Sequence, residues 1–108
     1  AQEVLEQKGC KVFRVGDADG ELDLAEVLKV LADQGITRLM VEGGPKLAGS
    51  FAAAGLIDEL TLRRGEKTIG AGGIAPLEGI PLDGFTGQLR AQASEKLGAD
   101  TLEHYERV

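Results

Sequence analysis

Apolar residues return at two different spacings along this chain, and each change of spacing marks an element. Val4 and Leu5 lie on a run that stops at Gly9. That predicts a helix over residues 1–8, because glycine easily takes the left-handed turn that closes a helix. Residues 10–15 (Cys-Lys-Val-Phe-Arg-Val) alternate and are rich in β-formers, predicting a short strand, and the Gly-Asp-Ala-Asp-Gly of residues 16–20 is turn chemistry. Leu24, Val27, Leu28 and Leu31 recur at helical spacing, so a helix is expected over 23–34. Asp23 is placed to cap it, Glu26 to complete a capping box, and Leu22 with Val27 to form a hydrophobic staple, while Gly35 ends it. Residues 36–41 (Ile-Thr-Arg-Leu-Met-Val) are β-rich, too short for an independent helix, and run directly into Glu42, Gly43, Gly44 and Pro45. A strand entering a tight turn is expected there.

Pro45 suits the first position of a helix, where its missing N–H is not needed, and Leu47, Ala48, Phe51 and Ala52 mark the buried side of a helix over 45–54. Gly55 closes it, and residues 57–62 alternate with a period of two, as a strand does. From Gly65 to Gly87 glycine and proline are too frequent for a regular helix, so this stretch is expected to be a mobile loop. Residues 89–97 and 101–108 flank Gly98, Ala99 and Asp100 and predict an antiparallel hairpin.

Two strand–helix–strand units in succession predict an α/β fold of one domain spanning residues 1–108. Its sheet is expected to be mainly parallel and flanked by helices, with the C-terminal antiparallel hairpin at its edge. Trp is absent and the only aromatics are Phe13, Phe51, Phe85 and Tyr105, so the core must be built mainly from aliphatic side chains. The formal net charge of −6 argues against nucleic-acid partners and anionic membranes, both of which are gripped by clustered Lys and Arg. No apolar run approaches the roughly 18 residues of a membrane span, and Ala1, Gln2 and Glu3 lack the basic start of a secretion signal, so a cytoplasmic location is expected. Cys10 is the single cysteine and His104 the single histidine. No disulfide and no metal site are expected, and the two residues are assigned as a small buried hydrophobe and an exposed strand residue.

The turn at Gly43, Gly44 and Pro45 is the place where chemistry concentrates. Glycines let a ligand reach the backbone, and the following helix start presents unpaired N–H groups with a partial positive charge, so an anionic ligand fits. Lys46 in the first turn opposes the helix dipole unless an anion arrives, and Ser50 adds a hydroxyl one turn later. On these grounds alone, a plain connection between strand and helix accounts for the glycines and proline equally well. The turn is neither a G-x-G-x-x-G fingerprint nor a Walker A loop.

Residues 35–50 (Gly-Ile-Thr-Arg-Leu-Met-Val-Glu-Gly-Gly-Pro-Lys-Leu-Ala-Gly-Ser), followed by 54–60 (Ala-Gly-Leu-Ile-Asp-Glu-Leu), resemble the reductase domain of the bifunctional riboflavin biosynthesis deaminase-reductase, a dihydrofolate-reductase-like family. The resemblance covers residues 9–73 and reaches the final hairpin by position only. It implies a dihydrofolate-reductase-like fold of which the chain is the C-terminal portion. It also implies NADPH as cofactor and reduction of a ribosylaminopyrimidine phosphate substrate, 5-amino-6-(5-phosphoribosylamino)uracil, to its ribityl form.

Carried over by residue, the resemblance implies that Glu42 reaches the pyrimidine, while Gly44, Pro45, Lys46, Leu47, Ala48, Gly49 and Ser50 wrap the cofactor pyrophosphate. No catalytic side chain is called for, because the nicotinamide carries the chemistry. Without the resemblance, Glu42 reads as a solvated carboxylate at a strand end and Lys46 as a surface lysine. Asp58 and Glu59 are read as structural, setting the turn into the next strand.

Where the family continues with Ala-Pro-Lys-x-x-Gly-Gly, this chain keeps Lys67 and Gly70 but places Arg63, Arg64 and Glu66 at apolar or proline positions. The strand is therefore expected either to stop early or to carry a wet outer face. A homodimer and a deaminase domain on the same full-length chain are the implied partners. The family's first half is missing, so the chain is either a fragment or a remnant, and is expected to be inactive alone. The alternative is a non-catalytic dimerisation half-domain.

Overall fold

The structure, a computed structural model, describes residues 1–18 and 20–108; Asp19, inside the expected turn, lies outside the described residues. The chain divides into two units, Ala1–Met40 and Val41–Val108.

In the first unit α1 spans Gln2–Gln7, β1 (Asp17–Ala18) pairs antiparallel with β2 (Glu21–Leu22), and α2 runs Leu24–Asp33. The start of α2 follows from Asp23, whose carboxylate accepts from the Glu26 amide at 3.3 Å. Glu26 does not close the reciprocal capping box. Its carboxylate accepts from the Gly16 amide at 2.8 Å, and the Asp23 amide donates to the Gly16 carbonyl at 3.0 Å, so the segment before the small hairpin is stitched to the helix start. The helix ends at Gly35, with φ 89°, and the Ile36 amide donates to the Leu31 carbonyl, the hydrogen bond of a Schellman cap. The expected staple does not bury Leu22, which is 63 % exposed, and Cys10 is an exposed free thiol rather than a buried hydrophobe.

The second unit contains α3 (Pro45–Ala53), β3 (Glu59–Arg64), α4 (Leu82–Thr86), β4 (Leu89–Leu97) and β5 (Asp100–Arg107). Its sheet has the order β3-β5-β4 and is antiparallel throughout. Gly98, with φ 61°, opens the two-residue turn between β4 and β5, which only a residue tolerant of positive φ does at no steric cost. Register shifts between Ala91 and Ala93, so Gln92 forms a bulge in β4. The core is small: Ala52, Leu77 and Phe85 are buried together, with Ala48, Ile57, Leu60, Ile80, Leu82 and Leu89 packed against them. Residues 65–87, expected to be loop alone, supply two of these three buried side chains and the short helix α4.

The sheet corrects the expectation of a mainly parallel arrangement. Residues 10–15 and 36–41, the two segments that parallel pairing needs, are not strands. Parallel strands require a neighbour delivered by a crossover, whereas antiparallel strands can be joined by a two-residue turn. The strands that form find antiparallel partners, β4 through the turn at Gly98 and β3 against β5 across the intervening residues 65–99. β3 also does not stop early. It reaches Arg64 because both arginines find carboxylates on the β5 side, Arg63 with Asp100 at 2.7 Å and Arg64 with Glu103 at 2.8 Å. Among the described residues no helix is long and apolar enough to cross a membrane.

Candidate functional site

The start of α3 is built by two residues. Gly44 is the N-cap with extended backbone, Pro45 is the first helical residue, and the Ala48 amide closes the first turn on the Gly44 carbonyl at 3.1 Å. No side chain caps this end and no acidic residue lies in its first turn, so its leading N–H groups have no side-chain acceptor. A Cβ built at Gly44 meets nothing within 4 Å, leaving open space at the mouth of the turn. At Gly43 a Cβ would stand 2.7 Å from the Leu47 side chain, so the turn is tight on that side. An open, uncapped helix start can accept an anion, through backbone donors and the partial positive charge of the dipole.

The eight residues singled out from the sequence separate into two groups here. Glu42, Gly44, Lys46 and Leu47 are exposed and Pro45 is half-buried, all at the open end of the helix. Ala48, Gly49 and Ser50 belong to the helix body. Ala48 packs on the core, Gly49 is buried, and the Ser50 hydroxyl donates to the Lys46 carbonyl at 3.0 Å, using its hydrogen on its own helix.

The other end of α3 is held by a residue the sequence reading did not single out. The Arg107 guanidinium donates to the Asp58 carboxylate at 3.0 Å and to the carbonyls of Gly55 at 2.6 Å and Ile57 at 3.2 Å, while its backbone amide donates to the Asp58 carbonyl at 2.8 Å. Asp58 therefore has the structural role expected of it. Nothing local in the sequence marks Arg107, because its partners lie some fifty residues away.

A second network lies on the sheet. Tyr105 Oη donates to Glu103 Oε1 at 2.5 Å and Arg64 Nε donates to Glu103 Oε2 at 2.8 Å. The bond from Tyr105, helped by Arg64, holds the Glu103 carboxyl below the usual range, and the same bond holds the Tyr105 phenol above its own. His104, expected to be exposed, is half-buried between Thr61 at 3.3 Å and Glu95 at 3.5 Å. A shallow depression of about 450 Å³ on the β4–β5 hairpin is lined in part by Gln92, Ser94, Glu103 and Tyr105 and shares no residue with the α3 turn. Among the described residues no group of three or more His, Cys, Asp or Glu side chains could hold a metal ion.

Comparison with known proteins gives the α3 turn its context. The chain is 34% identical over 96 residues to the riboflavin biosynthesis protein RibD of Escherichia coli (strain K12), covering 87% of the chain and 26% of that protein. The RibD of Bacillus amyloliquefaciens is 46% identical over 52 residues, 48% of the chain and 14% of that protein. The RibD of Mycobacterium tuberculosis (strain CDC 1551 / Oshkosh) is 35% identical over 79 residues, 71% of the chain and 22% of that protein. The matched region thus spans about a quarter or less of each of these relatives. Residues 2–102 match the RibD C-terminal domain, nearly the whole length described above, and the chain belongs to that family.

Proposed function

We propose that this chain is the cofactor-holding part of a reductase of riboflavin biosynthesis, which uses NADPH to reduce 5-amino-6-(5-phosphoribosylamino)uracil to its ribityl form. The observation that carries the reading is the open, uncapped start of α3 at Gly44 and Pro45. The residues present suit a dinucleotide: a glycine with free space in front of it, and a helix end without a competing carboxylate. Family membership and the three RibD relatives support the pathway.

In this reading the backbone N–H groups of the first turn donate to the cofactor pyrophosphate, and the Lys46 ammonium offsets its charge. Glu42, exposed beside the turn, addresses the pyrimidine. Bound NADPH supplies the hydride, and the protein supplies orientation and a polar frame. Ala48, Gly49 and Ser50 act behind the turn, as packing, rather than on the ligand. The finer features of the family complete the proposal. In the longer protein the segments 10–15 and 36–41 pair into a dihydrofolate-reductase-like parallel sheet, a deaminase domain lies on the same chain, and two copies form a dimer. Exposed Met40, Ile69 and Ile74, at 79%, 84% and 84%, support a covering partner.

The test is NADPH titration of variants of this chain, with turnover followed in the longer protein. Gly44→Val places its Cβ in open space. Because valine is a poorer N-cap than glycine, the unfolding midpoint is measured beside binding, so that loss of ligand approach is separated from a weakened helix start. This substitution should weaken NADPH binding more than Lys46→Ala, whose exposed charge contributes about 1 kcal/mol or less. Glu42→Gln should spare NADPH binding and lower turnover. Equal loss of NADPH affinity in the Glu42 and Gly44 variants refutes this division of labour, and no loss in either removes the site.

A further inference from the structure

Gly49 lies where the segment leading into α4 crosses α3. It is buried, and a Cβ built on it would stand 2.6 Å from the Glu78 carbonyl oxygen and 3.0 Å from the Glu78 nitrogen. Backbone cannot yield the way a flexible side chain can, so only glycine permits this approach. Two further features fix the crossing. The Glu78 amide donates to the Pro45 carbonyl at 3.0 Å, and Leu77, the residue before it, is 5 % exposed within the cluster of Ala52 and Phe85. The hydrogen bond therefore lands on the first residue of α3, in the same turn that presents the open N–H groups.

We propose that Gly49 and the Glu78 amide form a positioning crossing, which holds the first turn of α3 and the glycine-rich segment before Leu77 as one body and so sets the affinity of that turn for the cofactor. Gly49 is then a positioning residue for cofactor binding, with no contact to the ligand. This inference rests on the reading of the α3 turn as the cofactor site. Its physical basis is that donors act at full strength only when held to within a fraction of an ångström, and a shift of about 1 Å in a supporting element is enough to lose much of their effect.

Two variants and one control test it in this chain, with NADPH as the probe, well below the unfolding midpoint of each variant. Gly49→Ala introduces the clash while improving intrinsic helix propensity, so a loss of binding does not come from weakening the helix. Glu78→Pro deletes the donor and leaves α3 untouched, which keeps the test valid if the first variant folds poorly. Glu78→Ala keeps the amide and is the control. Both test variants should raise the NADPH dissociation constant about ten-fold, the scale of one lost hydrogen bond, and speed tryptic cleavage after Lys67. The control should stay within about two-fold of wild type.

Faster cleavage with unchanged NADPH affinity overturns the positioning role, as does a control that weakens binding as much as Glu78→Pro. A wild-type chain that binds no NADPH fails differently, because it removes the cofactor reading itself and this inference with it.

Discussion

Residues 36–41 carry Ile36, Thr37 and Val41 and form no strand, whereas β4 has no β-branched or aromatic residue and forms one in the β4–β5 hairpin. The hairpin carries its partner within the next few residues, and Gly98 turns the chain back at little entropic cost. Residues 36–41 are better β-formers yet have no strand, and Ile36, Leu39, Met40 and Val41 are all more than a third exposed. β-Propensity is the ability to fit a half-buried pleated surface, so it is realised only when such a surface is supplied. The same contrast separates β3, which finds β5, from residues 10–15, which find no strand partner among the described residues.

If packing on the sheet is what sets the stability of the C-terminal unit, the largest effect should come from its core. Phe85→Ala removes a ring that is 8 % exposed and should cost about 3–5 kcal/mol, lowering the urea midpoint sharply or leaving the chain unfolded. An effect below about 1 kcal/mol would mean the cluster is not a core. Gly98→Val, at φ 61°, should cost about 1–2 kcal/mol through forced left-handed backbone. Its signature is loss of hairpin amide protection in hydrogen exchange, and unaltered protection would detach the hairpin from its turn.

Smaller again is the pH response of the strand network. Glu103 is held below its usual range, so its contribution is present at neutral pH and is lost as pH falls through its lowered pKa, below the ordinary carboxylate range. Tyr105 is held above its usual range, so its share is present at neutral pH and is lost as pH rises through its raised pKa, above the ordinary phenol range. Glu103→Gln should flatten both limbs of the unfolding midpoint against pH, and a retained acid limb would assign that limb to other carboxylates. Smallest of all is Met40→Ser. A side chain that is 79% exposed contributes little to this chain, so its unfolding midpoint should shift by no more than about 0.5 kcal/mol equivalent. A large shift would show that 36–41 is packed after all. In the longer protein the same substitution should cost more, if the segment becomes a strand there.

The ends of α2 and α3, including the start of α3, were legible in the sequence. Gly44 and Pro45 start α3 where their local chemistry says a helix starts, Asp23 caps α2, and Gly35 and Gly55 close the two helices, because each of these is a contact within one or two turns. Residues 35–50 with 54–60 carried the family resemblance, which the turn alone did not. Ala48 was marked for the buried side of α3, but the close approach of Gly49 to Glu78 and the bond of Ser50 to the Lys46 carbonyl were not legible. A helix start looks the same in sequence whether its next turn faces a ligand or another stretch of backbone.

By itself, then, the sequence determined where α2 and α3 begin and end and where the hairpin turns. These are local matters of capping, φ and side-chain spacing. Tertiary structure alone decided that β3 joins β5 antiparallel, that Arg63 and Arg64 meet acidic partners on β5, that Arg107 clamps the end of α3, and that Gly49 lies under Glu78. Each of those depends on groups separated by some thirty or more residues, whose meeting is set by loop closure and core packing rather than by any pattern within a short window.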